Sequence, residues 1–425
     1  MTIMVISFYT MLFLGFPVSF TMIFNSILYF VLTGRPLRML PRTMFSGMNG
    51  IVLLAIPLFI LAGNIMNRTG VTDRLMKVAE ALVGHFRGGL AHANVMGSML
   101  FAGCSGSALS DVAGLGSIEI PMMLEARYEP EFSTAVTAAS SIQGPIIPPS
   151  IPMVIYGALT GASIGGLLVG GIVPGVLIGL TDMVIIYFLA KKRRYPVMHK
   201  GFSISRLLAS LKTGGFPILA PVILIGSILT GICTPTEAAA IAVLYTVIMG
   251  AAYRTLSLRV FWASLRDSVE TCVTVFLMIG AASTFSWIIA MDRVPELLTN
   301  LMMSITHNRY VILVLINVML LLWGMFMDTN PALFVLVPIL APILEGLGFH
   351  PVLVGVMLVT NLMIGLISPP YGMCLFIAST IGKVRLGPLT KEIIPFFLVN
   401  VVVIALMVCF PSLVLFLPRL AGLVR

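Results

Sequence analysis

The chain is a succession of long apolar runs separated by short polar joints. Runs such as Ile51 to Met66, Ile164 to Ala190, Pro235 to Ala252, Thr271 to Met291 and Ile393 to Phe416 approach or exceed the roughly 18 residues that cross a bilayer as a helix. Two further stretches have the form of a hairpin. Ala91 to Glu125 turns around a small polar centre, Gly103-Cys-Ser-Gly-Ser-Ala-Leu-Ser-Asp111, and Val311 to Glu345 turns around Gly324-Met-Phe-Met-Asp-Thr-Asn-Pro331. Each arm reads as too short to cross. The pattern therefore predicts two re-entrant helical hairpins whose tips stop near mid-membrane, where irregular backbone must be buried or line a wet cavity. A helix broken at its centre follows each hairpin. Glu131 to Leu159 breaks at Gln143-Gly-Pro-Ile-Ile-Pro-Pro-Ser150, and Val352 to Ile381 breaks at Gly365-Leu-Ile-Ser-Pro-Pro-Tyr-Gly372.

The two halves are copies of one plan. An ungapped offset of 221 positions superposes Gly103 on Gly324, Pro121 on Pro342, Pro130 on Pro351, Gly144 on Gly365, Pro148 on Pro369 and Pro149 on Pro370. A looser offset of 217 or 218 brings Pro17 to Pro235, Phe59 to Phe276 and Gly63 to Gly280. Duplicated apolar segments interrupted by Gly and Pro at matching places are the signature of transporters whose site lies between pseudo-symmetric repeats. The predicted fold is an all-α polytopic membrane protein. Residues 1–90 supply scaffold helices and an arm, 91–190 the first hairpin and broken helix, and 191–215 a polar cytoplasmic linker. Residues 216–309 repeat the scaffold and arm, 310–392 repeat the hairpin and broken helix, and 393–425 form a C-terminal helix.

Composition narrows the class. A mean hydropathy of +1.08 with 59% hydrophobic and 10% charged residues cannot be hidden inside a water-soluble domain. The net charge of +9 sits in joints between spans, including Arg68, Arg74, Lys191 to Arg194, Lys200, Arg254 and Lys383, so it reads as orientation in the membrane rather than nucleic-acid binding. The positive-inside rule makes that side cytoplasmic, which places the first hairpin on the cytoplasmic side and the second on the outer side, as inverted repeats require. Fewer basic residues, among them Arg35, Arg38, Arg42, Arg293, Arg309 and Arg425, fall on the other side. The five cysteines lack metal-ligand or CxxC spacing, and the N-terminus lacks the charged n-region of a removable signal peptide.

Candidate chemistry gathers at the tips and breaks. Paired prolines remove backbone donors and leave upstream carbonyls without helical partners. Half-helix C-termini and freed carbonyls hold cations, and half-helix N-termini attract carboxylates. Two sodium sites are expected: Ser105 and Ser107 with carbonyls from Gly144 and Ile147, and Asp328 and Thr329 with carbonyls from Gly365 to Ser368. Asp328 is the sharpest candidate, because an intramembrane acid is costly; as a plain alternative it caps the helix that follows. Ser105, Ser107, Pro148, Ser150, Asn330, Pro369 and Tyr371 are the expected substrate contacts. Asp111 caps a helix or lines the cavity, and Glu119 and Glu237 serve packing or substrate. The five histidines read as interfacial. No cofactor beyond sodium as coupling ion is expected.

Taken in order, the Ser-rich tip between Gly103 and Gly116, Gly144-Pro-Ile-Ile-Pro-Pro-Ser150, Thr234-Pro-Thr-Glu-Ala-Ala239, Met327-Asp328 and Gly365-Leu-Ile-Ser-Pro-Pro370 resemble the large membrane subunit, DctM type, of the tripartite ATP-independent periplasmic (TRAP) transporters. The likeness covers essentially the whole chain. It implies an elevator mechanism in which hairpins and broken helices carry sodium and substrate past a static scaffold in the bacterial inner membrane. It also implies two partners, a small four-helix membrane subunit and a periplasmic substrate-binding protein, with membrane lipids around the spans. Residue 1 lies close to the first span, so the small subunit is expected as a separate chain. The tip Asp328-Thr-Asn-Pro331 departs from the Thr-richer family pattern. Implied substrates are carboxylates such as sialic acid, C4-dicarboxylates or sugar acids.

Competing readings are a stand-alone divalent-anion/sodium symporter and a sodium/proton antiporter or channel. The last two call for a polar pore or extra intramembrane acids. No nucleophile-base pair, HExxH or phosphate loop supports an enzyme.

Overall fold

In lipid every backbone N–H and C=O needs an internal partner, and a helix supplies one along its length. The computed structural model describes residues 2–199 and 201–424, without the side chains of Thr2, Val5, Thr72, Gly103, Cys104, Ser105, Thr213 and Ile305. The expected contributions of the Ser105 hydroxyl, Lys200 and Arg425 therefore lie outside the described residues. The described chain is helical throughout, with an isolated bridge between Arg87 and Val197.

The first repeat begins with α1 (Thr2–Phe13), α2 (Val18–Leu32), α3 (Met39–Met48), a 3-10 turn at Ile51–Leu54, α4 (Ala55–Arg68) and α5 (Val71–Val83). The first hairpin is α6 (Gly89–Ser105) returning through α7 (Ala108–Gly114) and α8 (Gly116–Glu125). The broken helix is α9 (Pro130–Ser141) and α10 (Ile151–Thr160), followed by α11 (Ile164–Gly170) and α12 (Ile172–Arg193). The second repeat runs α13 (Ile204–Leu229), α14 (Pro235–Ala252), α15 (Leu258–Met291) and α16 (Val294–Ile305). Its hairpin is α17 (Arg309–Phe326) and α18 (Thr329–Gly346), and its broken helix α19 (Pro351–Gly365) and α20 (Met373–Gly382). It ends in α21 (Leu386–Cys409) and α22 (Ser412–Leu420). The 221-residue offset carries the start of α7 onto α18, of α9 onto α19, and the Pro148–Pro149 bond onto Pro369–Pro370; both of these bonds are cis.

Local chemistry sets the boundaries. Pro130, Pro235 and Pro351 open helices at the first turn, where a missing N–H costs nothing. Thr234 and Glu237 form a reciprocal capping box at α14, which gives Glu237 a structural role.

Two groups of helices result. α2, α3, α4, α13, α14 and α15 pack together as a frame, while α6 to α12 and α17 to α22 form a second, more deeply buried body. Seven helical segments among the described residues, counting the two arms of the second hairpin, are long and apolar enough to cross a membrane. Large side chains such as Phe20, Phe24, Phe188, Trp262 and Leu398 remain exposed on the outside, as a lipid-facing surface requires.

One end of the bundle is basic. There Arg193 reaches Glu129 at 2.5 Å and Glu392 at 2.8 Å, tying together α12, α9 and α21. Arg68 joins Asp267, and Arg74 lies 3.5 Å over the Tyr253 ring. At the far end Tyr29 donates to Asp292 at 2.6 Å and Arg309 sits over Phe349. The two hairpins enter from opposite ends: Tyr128, after α8, lies with Tyr195 at the basic end, whereas Arg309, the first residue of α17, meets Gly348 after α18 at the far end.

Several expectations change. The hairpin arms are not short: α17 and α18 have 18 residues each, about 27 Å of helix. They are hairpins because their tips turn back at a neighbour, not because apolar sequence runs out. Helix α13 starts at Ile204 inside the expected linker 191–215, and the expected single C-terminal helix from 393 is α21, already begun at Leu386, followed by a separate α22. His92, read as interfacial, is only 3% exposed.

Where arm and broken helix touch, backbone meets backbone. A Cβ on Gly324 would stand 2.8 Å from the Leu362 carbonyl oxygen and 3.1 Å from the Gly365 Cα. Gly226 on α13, in contrast, faces open space. Gly324→Ala is expected to lower the thermal unfolding midpoint of the detergent-purified protein by an amount corresponding to about 1–3 kcal/mol, and Gly226→Ala to leave it unchanged or raised. Equal midpoints for the two variants would contradict this packing.

Candidate functional site

Each break is met by the tip of its own hairpin. In the first repeat α6 ends at Ser105, Gly106 turns with φ +60°, and Ser107 caps α7, accepting from the Ser110 N–H at 3.5 Å. Gly106 lies where a Cβ would be 3.1 Å from the Pro149 carbonyl oxygen, so the tip rests on the proline pair. One turn further along, the Asp111 carboxylate fills the space beside Gly144: a Cβ there would lie 2.0 Å from its Oδ2. Asp111 is fully buried and belongs to this junction more intimately than its sequence suggested.

In the second repeat α17 ends at Phe326, and Met327 and Asp328 run extended before α18 begins at Thr329. The Asp328 carboxylate sits close to the Thr329 and Asn330 N–H groups that open α18, so the capping reading stands beside the ion reading at this position. Thr329 is buried, with its hydroxyl 3.7 Å from the Met363 sulfur on α19. Cys374, at the start of α20, has Ser141 beside it and both Asp111 and Asp328 close enough for their charges to act on it.

Polar zips hold each arm against its broken helix. Asn94 donates to Thr137 at 2.7 Å and accepts from Ser140 at 2.8 Å, and Ser98 bonds Ser140 at 3.0 Å. In the second repeat Asn361 donates to the Asn317 side-chain oxygen at 2.6 Å. Buried amides and hydroxyls persist between membrane helices when they satisfy one another.

The breaks also satisfy themselves. The Ser150 hydroxyl donates to the Pro145 carbonyl and accepts from the Met153 N–H at 3.3 Å, and the Ser368 hydroxyl donates to the Gly365 carbonyl at 2.9 Å. Ser150 therefore faces the break, not a ligand space. The Ile147 side chain packs towards Gly175 on α12, leaving only its backbone for the tip side. Pro148 is buried and Pro369 half-buried within their breaks. Tyr371 is 54% exposed and stacks on Phe326 at 5.9 Å between ring centres.

Of the expected substrate residues, the structure brings Ser107 and Asn330 to one cavity of about 90 Å³. The remaining walls are Ser110, Ile151 at the start of α10, and four frame residues with polar or small surfaces, Gly63, Asn64, Asn67 and Thr271, together with Ile60 and Val275. Sequence reading missed Asn64, Asn67 and Thr271. A signal existed: Asn64 and Asn67 fall at i and i+3, one face of an otherwise apolar helix. The first turns of α7, α10 and α18 all reach the cavity, so three helix N-termini with their positive dipole ends converge on it, Ser107 and Ser150 each taking up one N–H of the first two. No Lys or Arg is among its lining residues.

The cavity is not central. It lies at Thr271 and Val275, the basic end of the apolar stretch Thr271 to Met291 of α15, about eight residues or roughly 12 Å from that stretch's middle. At the opposite end, between the same two groups of helices, a crevice of about 770 Å³ opens between Gly50 to Leu53, Ile155 to Gly165, Thr234 to Thr236 and Phe334.

Comparison with known proteins agrees with this architecture. Residues 5–413 match the family described as the tripartite ATP-independent periplasmic transporter, DctM component. The chain is 41% identical over 412 residues, 96% of each chain, to the sialic acid TRAP transporter large permease protein SiaM of Vibrio cholerae. It is 34% identical to the C4-dicarboxylate TRAP transporter large permease protein DctM of Pseudomonas aeruginosa, over 91% of this chain and 90% of that one. The Alcanivorax borkumensis YdaH transporter, at 16% identity, shares the fold with a TM-score of 0.58 over 88% of both chains. Its two-fold plan of tip-met breaks, its apolar helices and these relatives together make the chain a member of the DctM family, a multi-pass membrane permease component of a TRAP transporter.

Proposed function

We propose that this permease takes up a small organic acid, of the class that includes sialic acid, C4-dicarboxylates and sugar acids, driven by sodium and by an elevator movement of the hairpin body against the frame. A periplasmic binding protein delivers the substrate, and a small membrane subunit braces the frame in the bacterial inner membrane. The observation that carries the reading is the cavity shared by both tips and the frame.

Three helix N-termini and the side chains of Ser107, Ser110, Asn64, Asn67, Thr271 and Asn330 offer a carboxylate hydrogen bonds and positive dipole ends without a fixed cation. Such a site releases its anion more readily than a bidentate arginine clamp does. At about 90 Å³ it is far smaller than the 770 Å³ crevice at the other end, and separation of tips and frame would widen it. Tips at the basic, cytoplasmic end of α15 and an open crevice at the other end support a body that slides along the frame. The sodium ions belong at the two tip–break junctions. At the first, Asp111 joins Ser107 and the Gly144 and Ile147 carbonyls. At the second, Asp328 and Thr329 would join carbonyls of the Gly365 to Ser368 break, against which the end of α17 packs through Gly324.

Asp328→Ala and Asp111→Asn are each expected to cut sodium-driven uptake into proteoliposomes at least tenfold, about 1.4 kcal/mol, with both partner proteins supplied. Wild-type uptake with unaltered sodium dependence in both variants would remove the ion assignment. For the movement, Asn67→Cys with Ser110→Cys, in a background free of the native cysteines, is expected to cross-link on oxidation and stop uptake, with recovery on reduction. Full uptake by the cross-linked protein would rule out sliding at this surface.

A further inference from the structure

Behind the first break, on the side away from both tips, lies a second polar cluster that neither the substrate cavity nor the tip junctions use. It consists of Gln143 at the end of α9, Asp182 on α12 and Asn400 on α21, all three fully buried. The Gln143 amide nitrogen stands 3.5 Å from Asp182 Oδ2, and the Asn400 side chain lies beside the same carboxylate. Asp182 Oδ1, Gln143 Oε1 and Asn400 Oδ1 complete no hydrogen bond, while the Asn400 amide, like that of Gln143, lies close enough to act on the carboxylate. Among the described residues no Lys, Arg or His pairs with Asp182.

The backbone is shaped to bring these groups together. Gly171, Gly175 and Gly179 form a stripe at i, i+4 and i+8 on α12. A Cβ on them would strike the Ile146 carbonyl at 2.3 Å, the Ile147 side chain at 2.4 Å and the Met99 sulfur at 2.5 Å. The first break therefore lies directly on α12, and Asp182, one turn beyond Gly179 on the same face, is set against Gln143. Asn400 is the repeat counterpart of Gly179, so it enters from α21 across the pseudo-symmetry axis.

The fold does not need this cluster. At the 221-residue offset Gln143 corresponds to Ile364 and Asp182 to Val403, both buried and apolar, and the second broken helix packs with them. A lone carboxylate in such surroundings requires a neutralising partner, since an uncompensated buried charge costs several kcal/mol. A proton on Asp182 would supply a donor to one acceptor only. A buried water would bring no charge. A small cation would neutralise Asp182 and offer the unpartnered oxygens of Gln143 and Asn400 a partner, and hard amide and carboxylate oxygens are the donors such ions take.

We infer that Asp182, Gln143 and Asn400 form a monovalent-cation site for sodium, separate from the two tip junctions, that fastens the first broken helix to α12 and α21. Only the choice of sodium rests on the transport reading above.

The test counts ²²Na⁺ bound per chain by the purified complex of the permease with its partner membrane subunit. Asp182→Asn, Asp328→Ala and the pair Gln143→Ile with Asp182→Val, which copies the second repeat, are measured beside the wild type. The expected result is one sodium fewer per chain in Asp182→Asn and in the paired variant, with size-exclusion elution unchanged in the latter. An unchanged count in a folded paired variant overturns the site. So does a wild-type midpoint that rises on acidification but not with sodium at constant ionic strength, in a manner lost in Asp182→Asn, because a proton then occupies the carboxylate. Loss of an ion in Asp182→Asn with none lost in Asp328→Ala sustains this site and removes the second tip site. The converse removes this one alone.

Discussion

A helix interrupted inside hydrocarbon exposes carbonyl and amide groups that lipid cannot satisfy, and the hairpin body is organised around finding them partners. The breaks at Gly144 to Pro149 and Gly365 to Pro370 are tolerated because a hairpin tip covers each one. Gly106 rests on the Pro149 carbonyl, and Gly324 rests on Gly365 with no side chain between. Serines inside the breaks take up further carbonyls, as Ser150 does for Pro145 and Ser368 for Gly365. At the tips, the helix ends and short polar side chains left over border one cavity of about 90 Å³.

The repeats share this plan but fill it differently. The first junction holds a fully buried acid, Asp111, one turn inside its tip helix, whereas the second holds Asp328 at the very start of its helix. The Asn94–Ser140 contact of the first repeat becomes Asn317–Asn361 in the second, with partners exchanged along the helices. Polar pairs can drift in this way because only their mutual satisfaction is constrained, not the residue that provides each half. Glycines at close contacts have no such freedom: Gly144, against the Asp111 carboxylate, and Gly365, against the Gly324 backbone, remain in register at the offset of 221.

The frame is more than a support. α4 and α15 present Asn64, Asn67 and Thr271 to the tips, so the polar cavity is completed by residues that do not belong to the hairpin body. A site built across a boundary between two bodies changes its walls whenever one shifts, and the off-centre position of this one on α15 fits that design.

The sequence by itself determined the membrane class, the duplication, the two hairpins, the two broken helices and the family, because apolar run length and proline placement are local facts. It also singled out Ser107 and Asn330, which the fold brings to one cavity. It misjudged the length of the arms, which end at a neighbouring backbone rather than where apolar residues stop. It placed Ser150 among substrate contacts, although the hydroxyl is consumed by the break that its own prolines create. It left Asp111 a secondary candidate, although the fold buries its carboxylate against Gly144, and it passed over Asn64, Asn67 and Thr271 as cavity walls. Those outcomes depend on which surfaces face one another across the two bodies. A helix's own periodicity says which residues share a face, and only the packed structure decides what that face meets.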